Sequence, residues 1–405
     1  MNIGGGKFLL GRISNNPTSG IVGLANVGKS TFFQAITNSK LGNPANYPFA
    51  TIDAECAKVN IPSVPLSNLL RIYQSAKCVP GTLTIYDIAG LTRGASQGHG
   101  LGNKFLNDIR HVEGIFQVVR GFLKEDITHI EGNVDPVRDL SVVQDELILK
   151  DLEFLENIRE RLSKKMRMVS KNSKEHQEMK IETELLDALE EHLFNGKKIR
   201  HFKDHWNLDE VKILNKHNFL TSKPTLILLN VSPQDYVRNE NKFVRNIIEW
   251  INEFSPGDKF LLFSAEFESQ LMECKGIASE YFDKIKEDTN VSDQQLVSAI
   301  PQIILEMRKL LNLISFFTCG PQEVHQWNIR EGTTAQEAAG VIHSDLRETF
   351  ISADVIKYDD LKKMEPPLNE SLLKSKGLIK RAGKQYIMQD NDIALFKAAG
   401  GKIKK

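Results

Sequence analysis

Eight residues constrain this chain more than any others. Gly23-Leu24-Ala25-Asn26-Val27-Gly28-Lys29-Ser30 spells G-x-x-x-x-G-K-S directly after the apolar Gly20-Ile21-Val22 and ahead of a helix-like stretch, 31–37. Strand, glycine loop and helix in that order are the setting this pattern requires. The bare pattern arises by accident on the order of 0.01 times in a chain of this length, and the setting makes coincidence rarer still. The glycines let the backbone curl until successive N–H groups and the helix N-terminus point at phosphate oxygens, while Lys29 brings a point charge and the Ser30 hydroxyl a Mg²⁺ ligand. Asn26, Val27, Gly28, Lys29, Ser30 and Thr31 are the expected cradle for a nucleoside triphosphate.

A sheet must stand behind such a loop. Short apolar runs at 83–87, 115–119, 225–230 and 260–264 are too short for helices and suit strands buried on both faces, with enough chain between them for helical crossovers. This predicts an α/β domain with a mostly parallel sheet. From Asp135-Pro136 to Trp206 the pattern becomes charged and helix-periodic, with apolar residues at Leu140, Val143, Leu147 and Leu155, and again at Met179, Leu186, Leu189 and Leu193 beyond a polar break at Lys171-Asn172-Ser173. The expectation is an antiparallel helical hairpin projecting from the α/β domain; two helices lying flat on the sheet are the alternative. Beyond 304, strands are expected at 316–318, 323–329, 351–356 and 386–388, with a helix over 334–346 capped by Thr333 or Thr334. The resulting partition is a discontinuous phosphate-loop domain (1–136 and 207–303), a hairpin insert (137–206), a small α+β domain (304–392) and a tail (393–405). A 405-residue chain with 41% hydrophobic and 26% charged residues suits such a multidomain globular protein.

A phosphate loop alone does not separate kinases, motors and switches. Leu83-Thr84-Ile85-Tyr86-Asp87 reads as a buried strand running into Asp87-Ile88-Ala89-Gly90, a D-x-x-G in which Asp87 reaches Mg²⁺ through water and the Gly90 N–H meets the γ-phosphate. Between the two motifs Thr51 supplies a hydroxyl able to close over Mg²⁺ and the γ-phosphate, so Ser30, Thr51 and Asp87 form the expected metal set. Base recognition is expected at Asn230-Val231-Ser232-Pro233, where switch GTPases carry N-K-x-D. Val231 replaces the Lys and Pro233 the Asp, so guanine's N–H donors would go unpaired and adenine is favoured. The Asn230 side chain and the Val231 backbone are the expected contacts, with Ser264-Ala265 backing the base.

At these residues the chain resembles the Obg-like ATPases, the YchF subfamily of Obg-related P-loop proteins, over nearly its full length. The motifs that carry the resemblance include Asn26-Val27-Gly28-Lys29-Ser30-Thr31, Tyr47-Pro48-Phe49, Asp87-Ile88-Ala89-Gly90-Leu91, Gly100-Leu101-Gly102-Asn103, Asp126-Ile127-Thr128-His129 and Phe219-Leu220-Thr221-Ser222-Lys223-Pro224. The resemblance implies a G domain, an inserted coiled coil and a C-terminal TGS domain, ATP hydrolysis preferred over GTP, a cytoplasmic location and association with ribosomes. Three positions depart from the family pattern: Pro233 stands where a Glu is usual, Ala50 where a Cys is, and Gln117 where a His is.

Leu91 occupies the position at which switch GTPases often hold a water-orienting Gln, so another group must do that work. The resemblance points to His129 as the catalytic histidine, its imidazole holding water in line or taking its proton; His99, in a glycine-rich stretch, is the rival. Lys29 and Gly90 complete the expected catalytic set. The Asn26 amide is a candidate to hold a monovalent cation, and Arg93 a candidate cis finger set against a solvated switch residue. Lys+Arg and Asp+Glu both number 52, so no global field marks a nucleic-acid binder and any basic surface is local. Lys164-Lys165-Arg167, the cluster Lys197-Lys198, Arg200 and Lys203, and Lys402, Lys404 and Lys405 are the candidate contacts for ribosomal RNA, against the reading of a solvated amphipathic hairpin. Four dispersed cysteines suggest reduced thiols and a cytosolic or nuclear setting, and no apolar run long enough to span a membrane occurs. The alternatives to an ATPase switch are a conventional GTPase in which Asp235 reaches the base, and a nucleotide-sensing scaffold with incidental hydrolysis.

Overall fold

The computed structural model describes residues 10, 17–38, 56–88, 106, 108–124, 132–274, 276–368 and 370–399. In chain order the first strands are β1 (Thr18–Val22), β2 (Cys56–Asn60), β3 (Lys77–Val79), β4 (Thr82–Asp87), β5 (Gly114–Arg120), β6 (Thr225–Asn230) and β7 (Lys259–Phe263). They are followed by β8 (Leu313–Cys319), β9 (Glu323–Arg330), β10 (Phe350–Lys357), β11 (Lys380–Ala382) and β12 (Asp392–Ala398). Helices α1 (Lys29–Asn38), α2 (Val64–Tyr73), α3 (Pro136–Met166), α4 (Lys174–Phe194), α5 (Leu208–His217), α6 (Pro233–Arg238), α7 (Val244–Phe254), α8 (Ala265–Glu273) and α9 (Ala335–Ile342) lie between them. The chain divides into two compact units, Phe8–Val59 with Thr84–Ile303, and Met1–Lys7 with Asn60–Leu83 and Ile304–Lys405.

The first unit carries a sheet of order β2-β4-β1-β5-β6-β7, in which β1 pairs in parallel with β4 and β5, β5 with β6, and β6 with β7. All seven residues of β5 and all six of β6 are buried, as expected of central strands covered on both faces. Phe32 fixes α1 to this sheet, its ring 5.9 Å from Phe116 of β5 and 5.0 Å from Phe263 at the end of β7.

The hairpin forms where its sequence predicts. Asp135 caps α3 by accepting a bond from the Arg138 N–H, Pro136 sits at the first helical position, and Ser173 caps α4 by accepting from the His176 N–H. The pairing is antiparallel: Gln144 donates to the Gly196 carbonyl, and Arg159 bonds Asp187 and Glu190. Both readings of the helices hold in part. The first turns of α3 bury Leu140 against Val119, Ile227 and Leu229 of the sheet, whereas Leu155, Leu162, Leu186 and Leu189 pack within the hairpin and against α5.

The second unit is built on a sheet of order β11-β10-β12-β8-β9-β3. Residues 60–83, which the sequence partition assigns to the phosphate-loop domain, lie in this unit, with Leu66 and Leu69 of α2 packed against Phe317 and Val324. Thr334 caps α9 in a reciprocal capping box with Glu337, and that helix stops at Ile342 rather than at 346. Residues 386–388 contribute a single bridge, Thr334 to Ile387, instead of a strand. The larger correction concerns the tail. Residues 392–398 form β12, flanked by β10 (antiparallel) and β8 (parallel) inside the sheet. Asp392 reads as a turn residue, yet it is fully buried because Tyr386 Oη, the Gln389 N–H and Lys357 Nζ all donate to its carboxylate. A satisfied buried carboxylate can open a central strand where an unsatisfied one could not.

Candidate functional site

The carboxyl ends of β1, β5, β6 and β7 converge on the glycine loop. Gly23 admits no side chain: a Cβ there would lie 2.3 Å from the Val118 carbonyl of β5. The loop closes through residues in the left-handed region, Asn26 at φ 61° and Gly28 at φ 99°, the latter a conformation glycine adopts at little cost. Asn26, Ser30 and Thr31 are exposed, Val27 is buried, and Lys29 is buried with its ammonium donating to the Leu24 carbonyl at 2.7 Å. Lys29 therefore folds back on its own loop. Burial lowers its pKa to about 8, an effect the nearby Asp87 opposes.

Asp87 closes β4 opposite Ile21 of β1, which brings its carboxylate to the start of α1. There burial pushes its pKa up, and the neighbouring Ser30 side chain and Lys29 pull against that. Ser30 and Asp87 are hard oxygen donors held together beside a lysine, a donor set suited to Mg²⁺ shared with phosphate oxygens. No cluster of three or more His, Cys, Asp or Glu side chains able to hold a metal by itself occurs among the described residues. Thr51, Gly90, Leu91, Arg93, His99 and His129 lie outside the described residues.

Asn230 joins three segments. Its side chain is buried; Nδ2 donates to the Val27 carbonyl at 2.9 Å, and Oδ1 accepts from the Ala265 N–H at 3.0 Å. One amide thus holds the glycine loop and the loop after β7 together. The other predicted base contacts are already engaged in part. The Val231 N–H donates to the Phe263 carbonyl at 2.9 Å, its side chain packs among Ile227, Leu229 and Trp250, and the Ser264 hydroxyl accepts from the Phe267 N–H to cap α8.

Pro233 occupies the first turn of α6 behind the N-cap Ser232, whose hydroxyl accepts from the Asp235 N–H. The Asp235 carboxylate accepts from Asn241 Nδ2 at 2.7 Å, and the same amide reaches the Gly121 carbonyl at 3.1 Å. Asp235 lines a cavity of about 580 Å³ with Gly121, Phe122, Ser232 and Asn241. Arg120 is a residue that reading the sequence passes over. It ends β5 fully buried, lies over the Phe122 ring at 4.5 Å, and donates to the Phe122 and Lys124 carbonyls at 3.2 and 3.3 Å. Its signal was a lone cation closing the apolar run Ile115-Phe116-Gln117-Val118-Val119.

The second predicted basic cluster is partly turned inward: of its four cations Lys197 is exposed and Arg200 and Lys203 are half-buried. Lys198 is buried and bonds the buried Asp258 at 2.8 Å, with Arg200 and His201 each 3.6 Å from the same carboxylate. Burial alone would push the Asp258 carboxyl up; Lys198, then His201 and Arg200, hold it well below the usual carboxylate range. Cys56, Cys78, Cys274 and Cys319 are all free. Among the described residues no helix is long and apolar enough to cross a membrane.

Residues 18–169 match the family profile described as "50S ribosome-binding GTPase", and residues 313–399 match the YchF-GTPase C-terminal profile described as "Protein of unknown function (DUF933)". The chain is similar to "Obg-like ATPase 1" of Saccharomyces cerevisiae, 47% identical over 400 residues that cover 98% of this chain and 97% of that protein. The human "Obg-like ATPase 1" is 40% identical over 389 residues, 96% of this chain and 94% of that protein. The solved structure of the Schizosaccharomyces pombe YchF GTPase superposes with a TM-score of 0.83 at 43% identity, covering 96% of this chain and 100% of that one.

Proposed function

The chain belongs to the Obg-like ATPase family of P-loop nucleoside triphosphatases, and from that premise we propose that it hydrolyses ATP in preference to GTP, as a Mg²⁺-dependent switch linked to ribosomes in the cytoplasm. The observation that carries the base preference is the state of the β6 exit. No Lys follows Asn230, Pro233 stands where a carboxylate would meet guanine, and Asp235 is held by Asn241. A site that leaves guanine's N–H donors unmatched penalises it by the desolvation of those groups. Asn230 and the Val231 backbone contact the base, with Ser264-Ala265 behind it.

Ser30, Thr51 and Asp87 would hold Mg²⁺, which when bound would supply positive charge to the phosphates. Lys29 leaves the Leu24 carbonyl for the phosphates, the Gly90 N–H meets the γ-phosphate, and His129 orients the attacking water and takes its proton. Asn26 is the candidate holder of a monovalent cation. Free cysteines are in keeping with a reducing compartment, and the description "50S ribosome-binding GTPase" of the matched profile supports the ribosome link. A second reading, hydrolysis of GTP, is favoured by the word GTPase in that description and in the name of the fission-yeast relative, YchF GTPase. Titrating fluorescent ATP and GTP analogues against the purified protein with Mg²⁺ decides between them. ATP should bind at least as tightly as GTP; tenfold tighter GTP would sink the proposal.

A further inference from the structure

Charge along the helical hairpin is segregated. Residues 161–174 hold six basic side chains, Arg161, Lys164, Lys165, Arg167, Lys171 and Lys174, and no carboxylate. The two stems, 136–160 and 175–195, hold fourteen carboxylates against four basic residues. All six tip cations are exposed, beside a Met168 that is 86% exposed. Only long contacts engage any of them among the described residues, Lys164 with Glu160 at 3.8 Å and Lys174 with Glu178 at 3.6 Å.

Helix stability does not account for this arrangement. Lys164 and Lys165 complement the C-terminal dipole of α3, but Lys171 and Lys174 sit at the N-terminus of α4, where the dipole disfavours cations. The arm is also fixed midway along its length. Asp151 of α3, buried, accepts from the Leu220 and Thr221 N–H groups and the Thr221 hydroxyl, and Glu182 of α4 binds His217 and Lys216 of α5. From the Asp151 anchor to the end of α3 at Met166 is a further 15 residues, about 22 Å of helix, so the basic turn stands at the far end of a stiff acidic stalk.

We propose that the hairpin tip, residues 161–174, is an RNA-docking surface that takes phosphodiester groups end-on, the acidic stems turning polyanions away from the flanks. Phosphate contacts of this kind position a protein without reading sequence, so the tip fits a structured RNA presented at a surface. The inference rests on the ribosome-linked reading above and names the surface that serves it.

The test is the full-length protein with Lys164, Lys165, Arg167 and Lys171 all changed to Gln, assayed for co-sedimentation with purified ribosomes and for binding a fluorescent RNA hairpin over a salt series. These side chains lie far along the arm from the glycine loop, so ATPase activity and melting temperature should match the wild type. Binding should weaken tenfold or more at moderate salt, and losing four phosphate contacts should make the slope of log K against log salt shallower by about 3. If the wild type binds neither ribosomes nor RNA even at low salt, the ribosome-linked reading itself fails. If the wild type binds and the quadruple variant binds equally with an unchanged slope, the tip is not the surface. Tip-dependent binding to phosphatidylserine vesicles but not to RNA would reassign the partner and overturn the RNA proposal.

Discussion

Replacing Asn230 by Ala should cost both nucleotide affinity and stability, by an amount the structure lets us work out. The Asn230 amide is the partner of two backbone groups, the Val27 carbonyl and the Ala265 N–H. Each orphaned buried group costs about 1–3 kcal/mol, and water entering the truncated site recovers part of that, which leaves about 3 kcal/mol. In a unit of this size such a loss lowers the melting temperature by roughly 5 °C. Because the orphaned carbonyl belongs to the glycine loop itself, much of the loss should appear in ATP binding, where about 3 kcal/mol is on the order of a hundredfold. Asn230→Asp sharpens the test. It keeps the acceptor for Ala265 but turns a carboxylate oxygen toward the Val27 carbonyl, so it should be at least as damaging as Ala. Calorimetric titration with ATP and thermal melts read both effects. If Asn230→Ala binds ATP within twofold of wild type and melts within a degree of it, or if the Asp variant is clearly the milder, the bracing role is wrong.

Lys198→Met should destabilise by about 3 kcal/mol, since it strands the buried Asp258 carboxylate with only Arg200 and His201 nearby. Asp258 is held below its ordinary value, so its contribution is present above about pH 4 and lost as pH falls further; melts between pH 3 and 7 should show the variant losing less on acidification than the wild type. Lys29, lowered to about 8, should shed its proton above that pH in the nucleotide-free protein, so ATP binding should weaken from pH 8 to 10 and take up a proton, measurable by calorimetry in buffers of different ionisation enthalpy. The same shift makes the folded state lose stability as pH falls through that window, because the unfolded chain holds the proton more tightly. His129→Ala should lower hydrolysis strongly with little change in ATP affinity, and His99→Ala should do less; the reverse order would move the role to His99.

The sequence by itself determined the parts of this protein that depend on local chemistry. A G-x-x-x-x-G-K-S loop after an apolar strand admits few backbone paths, so the cradle formed by Gly23 to Thr31 was legible, and with it the parallel strands behind it. The hairpin was legible for the same reason, as periodic leucines, Pro136 at the entry and a polar break are local signals. Tertiary structure decided whatever depends on a distant partner. Lys198 looks like a surface cation until Asp258, sixty residues on, is seen to bury it. Asp392 looks like a turn residue until Tyr386 and Lys357 satisfy it at the start of a central strand. Asn230 looks like a base contact alone until Val27 and Ala265 converge on its amide, and Asp235 looks available to a base until Asn241 engages it. In each case the residue's own chemistry fixes what it needs, a counter-charge, a donor or an acceptor. Which group supplies it follows from the packing of segments far apart in the chain, and no local pattern encodes that.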